Sequence, residues 1–530
     1  MNDAVVASEQ PAPTAPPSLP PITARALIGF IAMAFGMFMA ILDIQIVSAS
    51  LTQIQAGLSA SAEEISWVQT SYLIAEVVMI PLSGFLSRLL STRILFVLSS
   101  ASFTLMSVFC AMSTSIEQMI IFRALQGFLG GAMIPTVVAG SYIMFGQGRT
   151  AGVSVIVGLI ATLAPTVGPT LGGILTSAFS WHWLFLINLP IGIVITAVVW
   201  AIVDVDKPNW SLLEGIDILG LLLMAAFLGS TEYVLEEGSR NDWFQDPTIR
   251  NFAIFGAASG VGFFMRVLNA RNPIVNLQVF RDRNFSIGAG FGMVLGVGLY
   301  GIVYLLPVFL ARVRGYSSLE IGGLVFVTGI FQFIGAPIAG LLSRRWDARY
   351  VLMIGMSLMA LSCFQFAQLT AEWGFWELFL PQVMRGAGLM FCMVPANVIA
   401  LGKLDHDTLK DASGLYNLLR NLGGALGLAV LNTQLTERIS FHYARLAEHV
   451  STGRLTAENW ISGLSARYST QITGDPDLAA VKTLANFVRR EASVMAFSDC
   501  FLIVASIYIL ALIATPLLSR PTNVDVPEEP

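Results

Sequence analysis

Three arginines lie inside long apolar stretches of the chain. They are Arg123, Arg385 and Arg420, whereas the other Lys and Arg residues fall at the ends of those stretches, between them or beyond them. A charged side chain at the centre of a bilayer costs at least about 2.5–3.5 kcal/mol on insertion scales. Each of these arginines must therefore face a partner or water rather than lipid, which makes each a candidate functional residue.

Four carboxylates lie inside these apolar stretches beyond their first turn, namely Asp43, Glu76, Glu232 and Asp499. A fixed cation stabilises the ionised form of a neighbouring carboxylate, and moving the two apart favours proton uptake. Arg123 beside a protonatable carboxylate could therefore couple a proton to movement, and Asp43 is among the candidate carboxylates. The alternative, that Arg123 only ties helices together, is about equally good on the residues alone. Glu76 is a third proton-coupling candidate on its intramembrane charge alone, and it could also be a hydrogen bonder between helices.

Small residues follow Arg123 in the sequence Arg123-Ala-Leu-Gln126-Gly127-Phe-Leu-Gly130-Gly131. Because residues three apart share one face of a helix, Gln126 is expected beside Arg123. The glycines allow a neighbouring helix backbone to approach closely. This segment is therefore predicted to pack against another helix at the level of the charge.

A run of glycines and prolines occupies residues 158 to 173. Its members are Gly158, Pro165, Gly168, Pro169, Gly172 and Gly173. Proline removes a backbone donor and bends a helix, and glycine lets another helix touch the bend. Two interpretations stay open: the run is a hinge or seal between two bundles, or it serves close packing alone.

The composition indicates which elements must position these residues. Hydrophobic residues make up 55% of the 530 positions, charged residues make up 12%, and the mean hydropathy is +0.72. A soluble protein carries about 25% charged residues. These values exclude a soluble cytosolic enzyme, a nucleic-acid-binding protein and a disordered chain. They indicate a polytopic protein in a lipid bilayer.

Fourteen apolar runs are long enough to cross the roughly 30 Å of bilayer hydrocarbon as helices. Because the runs are continuously apolar and do not alternate, they favour helices over a β-barrel. The predicted fold class is therefore an all-α polytopic membrane protein. The runs are 26–48, 65–86, 94–113, 118–141, 152–176, 183–203, 215–235, 251–270, 285–311, 318–342, 350–369, 376–400, 412–435 and 494–518.

The basic residues between the spans predict the orientation. With the N-terminus inside, the inner segments hold fifteen Lys and Arg residues, including Arg149, Arg271 and Arg520, and the short outer loops hold four. Positive charge favours the cytoplasmic side, so both termini are predicted to be cytoplasmic. Residues 1–25, rich in Pro, Ala and Ser, are expected to be a disordered tail and not a cleaved signal peptide.

One outer segment, residues 436–493, is long. Its apolar spacing around Phe441 to Val450 and Leu478 to Val488 predicts amphipathic helices that extend spans 13 and 14. A structureless loop of this length would be unusual. The segment is either a contact for a partner or a solvated cap, and the sequence favours neither.

A weak internal repeat predicts two halves. Arg123, Gly127 and Pro135 in span 4 are echoed by Arg385, Gly386 and Pro395 in span 12. Duplicated bundles of this kind place a binding site at the midplane between the halves. The predicted units are listed in chain order: 1–25 tail, 26–203 first six-helix bundle, 204–283 two inserted helices with linkers, 284–518 second six-helix bundle, and 519–530 tail.

Several motifs together resemble a known family. The run from Gly158 to Gly173 resembles the span 5 antiporter signature of the major facilitator superfamily, and Arg123-Ala-Leu-Gln-Gly127 is similar to its span 4 motif. The fourteen spans and five further motifs resemble the EmrB/QacA-type drug:proton antiporters. Those motifs are Leu42–Val47, Trp67–Tyr72, Trp181–Gly192, Asn272–Val275 and Arg420–Gly424.

The resemblance implies a fold with two six-helix bundles and two inserted helices, working by alternating access. It implies export of hydrophobic or amphipathic compounds in exchange for protons, across a bacterial inner membrane. By this resemblance Arg123 is the span 4 coupling residue and Asp43 the acidic residue of span 1. In a Gram-negative host it also implies a periplasmic adaptor and an outer-membrane channel as partners.

Two further sets of site residues are predicted. The substrate cavity is expected to involve polar residues of spans 1, 2, 4, 12 and 13, namely Gln45, Gln69, Tyr72, Gln126, Asn397, Asn417 and Arg420. The cytoplasmic gate is expected at Gly84, Arg88 and Arg93. The superfamily usually has an acidic residue where Arg88 stands, so a charge relay through that acid cannot operate here.

Other functions remain as alternatives. The chain could transport one specific metabolite or a lipid-like acid. A membrane-embedded enzyme is a weaker alternative, because the four histidines have no metal-ligand spacing and no nucleophile motif or phosphate loop is present. The sequence predicts no cofactor, no metal and no nucleic-acid partner.

Overall fold

The computed structural model is helical wherever it describes regular structure. The described residues are 23–61, 63–146, 150–214, 216–270, 273–404, 406–450, 454–470 and 474–518. Most of the predicted tail 1–25, the whole tail 519–530, Arg149, Arg271 and Asn272 lie outside them. Each of the fourteen predicted spans falls on one helical stretch. The bounds agree within a few residues except for spans 13 and 14, whose helices extend well beyond the predicted bounds on the side of residues 436–493.

These helices are numbered α1 to α14 here. Their bounds are α1 (Ala24–Ser48), α2 (Trp67–Leu90), α3 (Thr92–Ala111), α4 (Ile116–Phe145), α5 (Thr150–Ala178), α6 (Trp183–Ile202), α7 (Ile218–Glu237), α8 (Pro247–Asn269), α9 (Arg283–Arg312), α10 (Ser318–Arg345), α11 (Ala348–Phe366), α12 (Phe375–Leu401), α13 (His406–Glu448) and α14 (Pro476–Ala514). Short breaks interrupt α4 after Gly130 and α6 after Leu186.

Thirteen of the described helices are long and apolar enough to cross a membrane by composition alone. The fourteenth long helix, α13, is less apolar than these. Three polar residues, Asn417, Arg420 and Asn421, lower the hydropathy of α13. Asn417 and Arg420 are buried inside the protein and do not face lipid. Helix α13 is therefore less apolar because part of its surface is interior.

Polar caps determine where several helices begin. The carboxylate of Asp217 accepts a hydrogen bond from the backbone of Gly220 at the start of α7, and Asp282 does the same for Phe285 at the start of α9. Such caps satisfy backbone donors that would otherwise be unpaired at a helix start. Glycine and proline inside the helices are tolerated because neighbouring helices pack against them.

The helices pack as two bundles joined along a central interface. In the first, α1 packs on α5 and α6, α2 on α4, and α3 on α4 and α6. In the second, α9 packs on α12 and α13, and α11 on α12 and α14. Across the interface, α5 contacts α10 and α12, and α2 contacts α13. The inserted helices α7 and α8 pack on each other, and α7 also touches α2 and α13.

The predicted outer segment, residues 436–493, is largely helical. Helix α13 continues to Glu448, a further helix covers Leu455–Tyr468, and α14 already begins at Pro476. The predicted helical extensions of spans 13 and 14 are therefore confirmed. Asp499, predicted inside a span, has a side chain that is 30% exposed and lies 2.8 Å from Nε2 of His442. It therefore takes part in a polar cluster on the extended helices.

Candidate functional site

A fully buried ion pair lies inside the first bundle. Nη1 of Arg123 is 2.6 Å from Oδ2 of Asp43, and both side chains are 0% exposed. The same Nη1 donates to Oε1 of Gln126 at 2.7 Å, and Nε of Arg123 donates to the backbone oxygen of Val68 at 3.1 Å. Both charges are thus held away from lipid and from water, as their cost in a membrane requires.

Two residues that sequence reasoning did not select complete this ion-pair network. Nδ2 of Asn188 donates to Oδ1 of Asp43 at 2.7 Å, and it also lies 3.2 Å from Oγ of Ser107. Nε2 of Gln126 donates to the same Ser107 oxygen at 2.8 Å. Asn188 stands in the motif that enters span 6, which was a usable signal, whereas nothing local marks Ser107.

Aromatic rings cover the guanidinium of Arg123. Its Cζ lies 4.2 Å from the ring centroid of Tyr72 and 5.8 Å from that of Phe185. A cation over a desolvated aromatic face is stabilised by about 2 kcal/mol. With α1, α2, α3, α4 and α6 all contributing groups, the network joins five helices of the first bundle around one carboxylate.

A cavity of about 360 Å³ lies between the two bundles. We call the membrane face at which α1 begins the near face and the opposite one the far face. The lining residues are Ala49, directly after α1, and residues from the central and far portions of α1, α2, α5, α7, α9 and α13. The volume is within the usual range for small-molecule sites, about 300–1,000 Å³. Such a cavity can hold a compact organic molecule.

The predicted cavity residues divide into two groups. Gln45 and Gln69 line the cavity, and so does Glu76. Tyr72 and Gln126 belong to the ion-pair network, while Asn397, Asn417 and Arg420 are buried outside the lining. For these five residues, contact with a substrate stays a prediction.

The network and the cavity lie on opposite sides of α1. Ile44 and Gln45 line the cavity, whereas Asp43 faces into the first bundle. Successive residues of a helix point about 100° apart, so neighbours in sequence face different surroundings. Glu76 relates the two places, because it lines the cavity and interacts electrostatically with both Arg123 and Arg420.

Ionic contacts close the near face between the two bundles. Arg88 at the end of α2 pairs with Asp411 at the start of α13, and Lys410 pairs with Asp206 beyond α6. Oγ of Ser413 also donates to the backbone oxygen of Pro135 at 2.9 Å. Asp411 and Asp206 were not predicted, since nothing in the sequence relates residues more than 200 positions apart.

Glycines bring the same two helices together. A Cβ on Gly84 would lie 3.0 Å from the Asp411 Cα, and one on Gly414 would lie 3.0 Å from the Ile80 oxygen. Arg93 behaves differently from Arg88, because it lies 3.8 Å from Asp204 within its own half. Of the three predicted gate residues, Gly84 and Arg88 therefore contact the opposite bundle at Asp411, whereas the ion pair of Arg93 lies within the first half.

The glycine and proline run of α5 lies between both bundles. A Cβ on Gly168 would lie 2.4 Å from Cβ of Gln45, and one on Gly172 would lie 2.8 Å from the Ile46 oxygen, so this face packs on α1. Gly158 faces Met393 of α12 instead, at 3.5 Å. Pro165 is buried, Pro169 lines the cavity, and Gly173 is half-buried. One helix thus contacts its own bundle and the opposite one.

Comparisons with known proteins agree with this architecture. The family model described as the Major Facilitator Superfamily matches residues 33–428. The colistin resistance protein EmrB of Acinetobacter baumannii is 39% identical over 496 residues, covering 93% of this chain and 96% of that protein. The multidrug export protein EmrB of Escherichia coli is 28% identical over 493 residues, covering 92% and 94%.

Solved structures share the fold at low identity. The human organic anion transporter MFSD10 has a TM-score of 0.59 at 13% identity, with coverage of 94% of this chain and 100% of that one. A double Trp mutant of XylE has a TM-score of 0.58 at 11% identity, with coverage of 94% and 97%. The chain therefore belongs to the Major Facilitator Superfamily and, within it, to the EmrB-type drug antiporters.

Proposed function

We propose that this protein is a proton-coupled antiporter that exports hydrophobic or amphipathic compounds by alternating access. The observation that carries the proposal is the buried Asp43–Arg123 pair, which five helices hold beside a cavity between two bundles. A carboxylate bound to a movable cation can exchange a proton when the helices shift. A cavity closed at one face can release its contents at the other.

The near face is the cytoplasmic face in this proposal. The near-face segments hold most of the inter-span Lys and Arg residues, and such residues favour the cytoplasm. Both termini are then cytoplasmic, and the protein is a multi-pass protein of the bacterial inner membrane. With this orientation the conformation is closed to the cytoplasm, and its cavity lies in the periplasmic half.

The residues act in sequence as follows. A proton entering from the periplasm reaches Glu76 at the cavity wall and then Asp43, whose neutral form no longer holds Arg123. The freed Arg123 lets α1 and α4 shift against each other. Opening to the cytoplasm requires the Arg88–Asp411 and Lys410–Asp206 contacts to break. Proton release to the cytoplasm restores the buried pair and the closed near face.

The helices that extend from the far face offer a surface for partner proteins. The segment 436–493 presents exposed apolar side chains, including Phe441, Trp460 and Phe487, beyond the membrane. We place a periplasmic adaptor on this surface, with an outer-membrane channel beyond it, as the arrangement through which exported compounds leave a Gram-negative cell. Removal of residues 454–470 should then abolish adaptor capture while dye binding to the purified transporter continues.

Dye transport in inverted membrane vesicles tests the proposal. With an acidic vesicle interior, the wild type should accumulate an amphipathic fluorescent dye, and a protonophore should stop it. Asp43→Asn and Arg123→Ala should lose this accumulation, and Glu76→Gln should weaken it. Glu117→Gln, which removes an exposed carboxylate at the far end of α4, serves as the matched control and should transport normally.

Two outcomes would contradict the proposal. Dye accumulation that survives the protonophore would exclude proton coupling, and full activity of both Asp43→Asn and Arg123→Ala would remove the assigned site. Transport of a labelled fatty acid without any dye transport would favour the alternative, a carrier of one lipid-like acid. Chemical change of the dye would point to an enzyme.

A further inference from the structure

The inserted helix α7 forms one wall of the cavity and bridges the two bundles. On one side, Tyr233 stacks on Trp67 of α2 with ring centroids 5.5 Å apart. On the other side, the loop after α7 reaches α13, where Nε1 of Trp243 donates to Oγ1 of Thr433 at 2.9 Å. Helix α7 is therefore fixed against both bundles at the level of the cavity, and its side chains there have defined positions.

Two buried carboxylates of α7 have different surroundings. Glu237 is 6% exposed, and its Oε1 accepts a hydrogen bond from Thr70 of α2 at 2.8 Å. Glu232 is 5% exposed and lines the cavity, yet its Oε2 has no hydrogen-bond partner among the described residues. Glu237 has a structural role, tying α7 to α2. Oε2 of Glu232 has none that the described residues show.

Unsatisfied acceptors occur on other cavity walls as well. Oε1 of Gln69 on α2 and Oδ1 of Asn421 on α13 are buried, line the cavity and lack partners among the described residues. Burying such oxygens without donors costs about 1–3 kcal/mol each. The cavity therefore presents acceptors from three helices and calls for a ligand that donates hydrogen bonds.

The charged side chains that line the cavity are acidic, which also favours a ligand that donates hydrogen bonds. Among the described lining residues are three carboxylates, Glu76, Glu232 and Glu236, and no Lys, Arg or His. The charged groups that act on Glu232 are Glu236 and Glu76, both acidic. Arg123 and Arg420 act on Glu76 instead. The α7 side of the cavity thus lacks the cation that the Glu76 side has.

We propose that Glu232, supported by Glu236, anchors the protonated amine of an amphipathic substrate, with Gln69 and Asn421 accepting its remaining hydrogen bonds. The apolar body of the substrate would lie against Tyr300, Val303 and Leu428 on the opposite walls. Hydrogen bonds from a cation to a carboxylate are short and about twice as strong as neutral ones. This assignment rests on the cavity being the substrate site of the proposed antiporter.

Equilibrium binding of three probes of one shape tests the assignment. Naphthylmethylamine, naphthylmethanol and naphthylacetate carry a cation, a neutral hydroxyl and an anion on the same ring system. They are titrated at about pH 8, where the amine is still protonated, into the full-length protein in lipid nanodiscs. The wild type should bind the amine at least about tenfold more tightly than the alcohol, as expected for charged hydrogen bonds, and the anion most weakly.

The variants separate anchoring from packing. Glu232→Gln keeps the shape of the side chain and should remove the preference for the amine while leaving the affinity for the alcohol unchanged. Glu236→Gln should reduce the preference by less, because Glu236 is only half-buried. Glu117→Gln, on the exposed far end of α4, should keep it entirely. Thermal melting of each variant in the same nanodiscs checks folding.

Three results would overturn the assignment. They are a wild type without preference for the amine, a Glu232→Gln protein that keeps the preference, and a Glu232→Gln protein that loses amine and alcohol equally. Binding is measured without a proton gradient, so the anchoring assignment and the antiport proposal can each fail while the other holds.

Discussion

The two halves of the molecule each bury an arginine on their fourth helix, and they surround it differently. Arg123 on α4 is paired with Asp43 and hydrogen-bonded to Gln126 and Val68. Arg385 on α12 is 1% exposed, and neither its Nη1 nor its Nη2 has a hydrogen-bond partner among the described residues. The repeat keeps the position of the cation, but of these two arginines only Arg123 has a carboxylate partner within the described part of the chain.

This difference assigns the two halves different tasks. A lone buried cation has no proton to exchange, because an arginine stays protonated at any ordinary pH. The ionisable groups that act on Arg385 are Cys363 and Tyr508, which are neutral in their usual forms. We therefore place proton exchange in the first half. In this proposal the second half supplies the surface against which the first half moves, and Asp411 at the near face is part of that surface.

Matched substitutions of the two arginines should give the largest contrast in transport. Arg123→Met removes the partner of Asp43 and is expected to reduce proton-driven dye accumulation to the background of membranes without the protein. Arg385→Met removes a cation that makes no ion pair and should keep most of the activity. Initial rates in inverted vesicles, normalised to inserted protein, measure both. Equal loss of dye transport in the two variants would show that the two arginines do not differ in their roles.

The same two substitutions should also differ in their effect on the stability of the protein. Arg123→Met leaves Asp43 charged and unpaired, which should lower the free energy of unfolding by about 3–5 kcal/mol. Arg385→Met should be neutral or stabilising, because it replaces an unpaired buried charge with an apolar side chain. Adding Asp43→Asn to Arg123→Met should recover much of the loss. Thermal unfolding in nanodiscs gives the order, and a larger loss for Arg385→Met would reverse it.

Two glycines of α5 test whether helices pack more tightly inside the first half than across the interface between the halves. A Cβ on Gly168 would lie 2.4 Å from Cβ of Gln45 within the half, so Gly168→Ala should cost about 1–3 kcal/mol through overpacking. A Cβ on Gly158 would lie 3.5 Å from Met393 of the other half, which is ordinary contact. Gly158→Ala should therefore melt like the wild type. Similar melting of the two variants would contradict this reading of α5.

The near-face contact is expected to give the smallest effect. Among the described residues, ion pairs between the two halves are found only at this face. Arg88→Asp should open this face, and combining it with Asp411→Arg should restore closure with the charges exchanged. A reporter thiol at Ser413→Cys, which is buried at the contact, should label about tenfold faster in the single variant, a shift typical of a coupling energy near 1.4 kcal/mol. Unchanged labelling would show that Arg88 and Asp411 do not hold the face closed.

Much of the fold could be predicted from local patterns. Apolar runs of about 20 residues are recognisable without any knowledge of neighbours, and all fourteen lie on helices of the structure. The amphipathic spacing after Phe441 likewise predicted that α13 continues beyond the membrane. The site was less accessible to sequence. Asn188 and Asp411 reach their partners, Asp43 and Arg88, only through tertiary packing.

The sequence by itself determined that this is a helical membrane protein and that charges such as Asp43, Glu76 and Arg123 cannot face lipid. That conclusion needs only the cost of a charge in hydrocarbon, which is a property of each residue alone. The tertiary structure decided which charges meet and which face the cavity. Asp43 turns inward to Arg123 while Gln45 and Glu232 line the cavity, because the rotation of each helix is fixed by packing against distant helices and not by its own apolar surface.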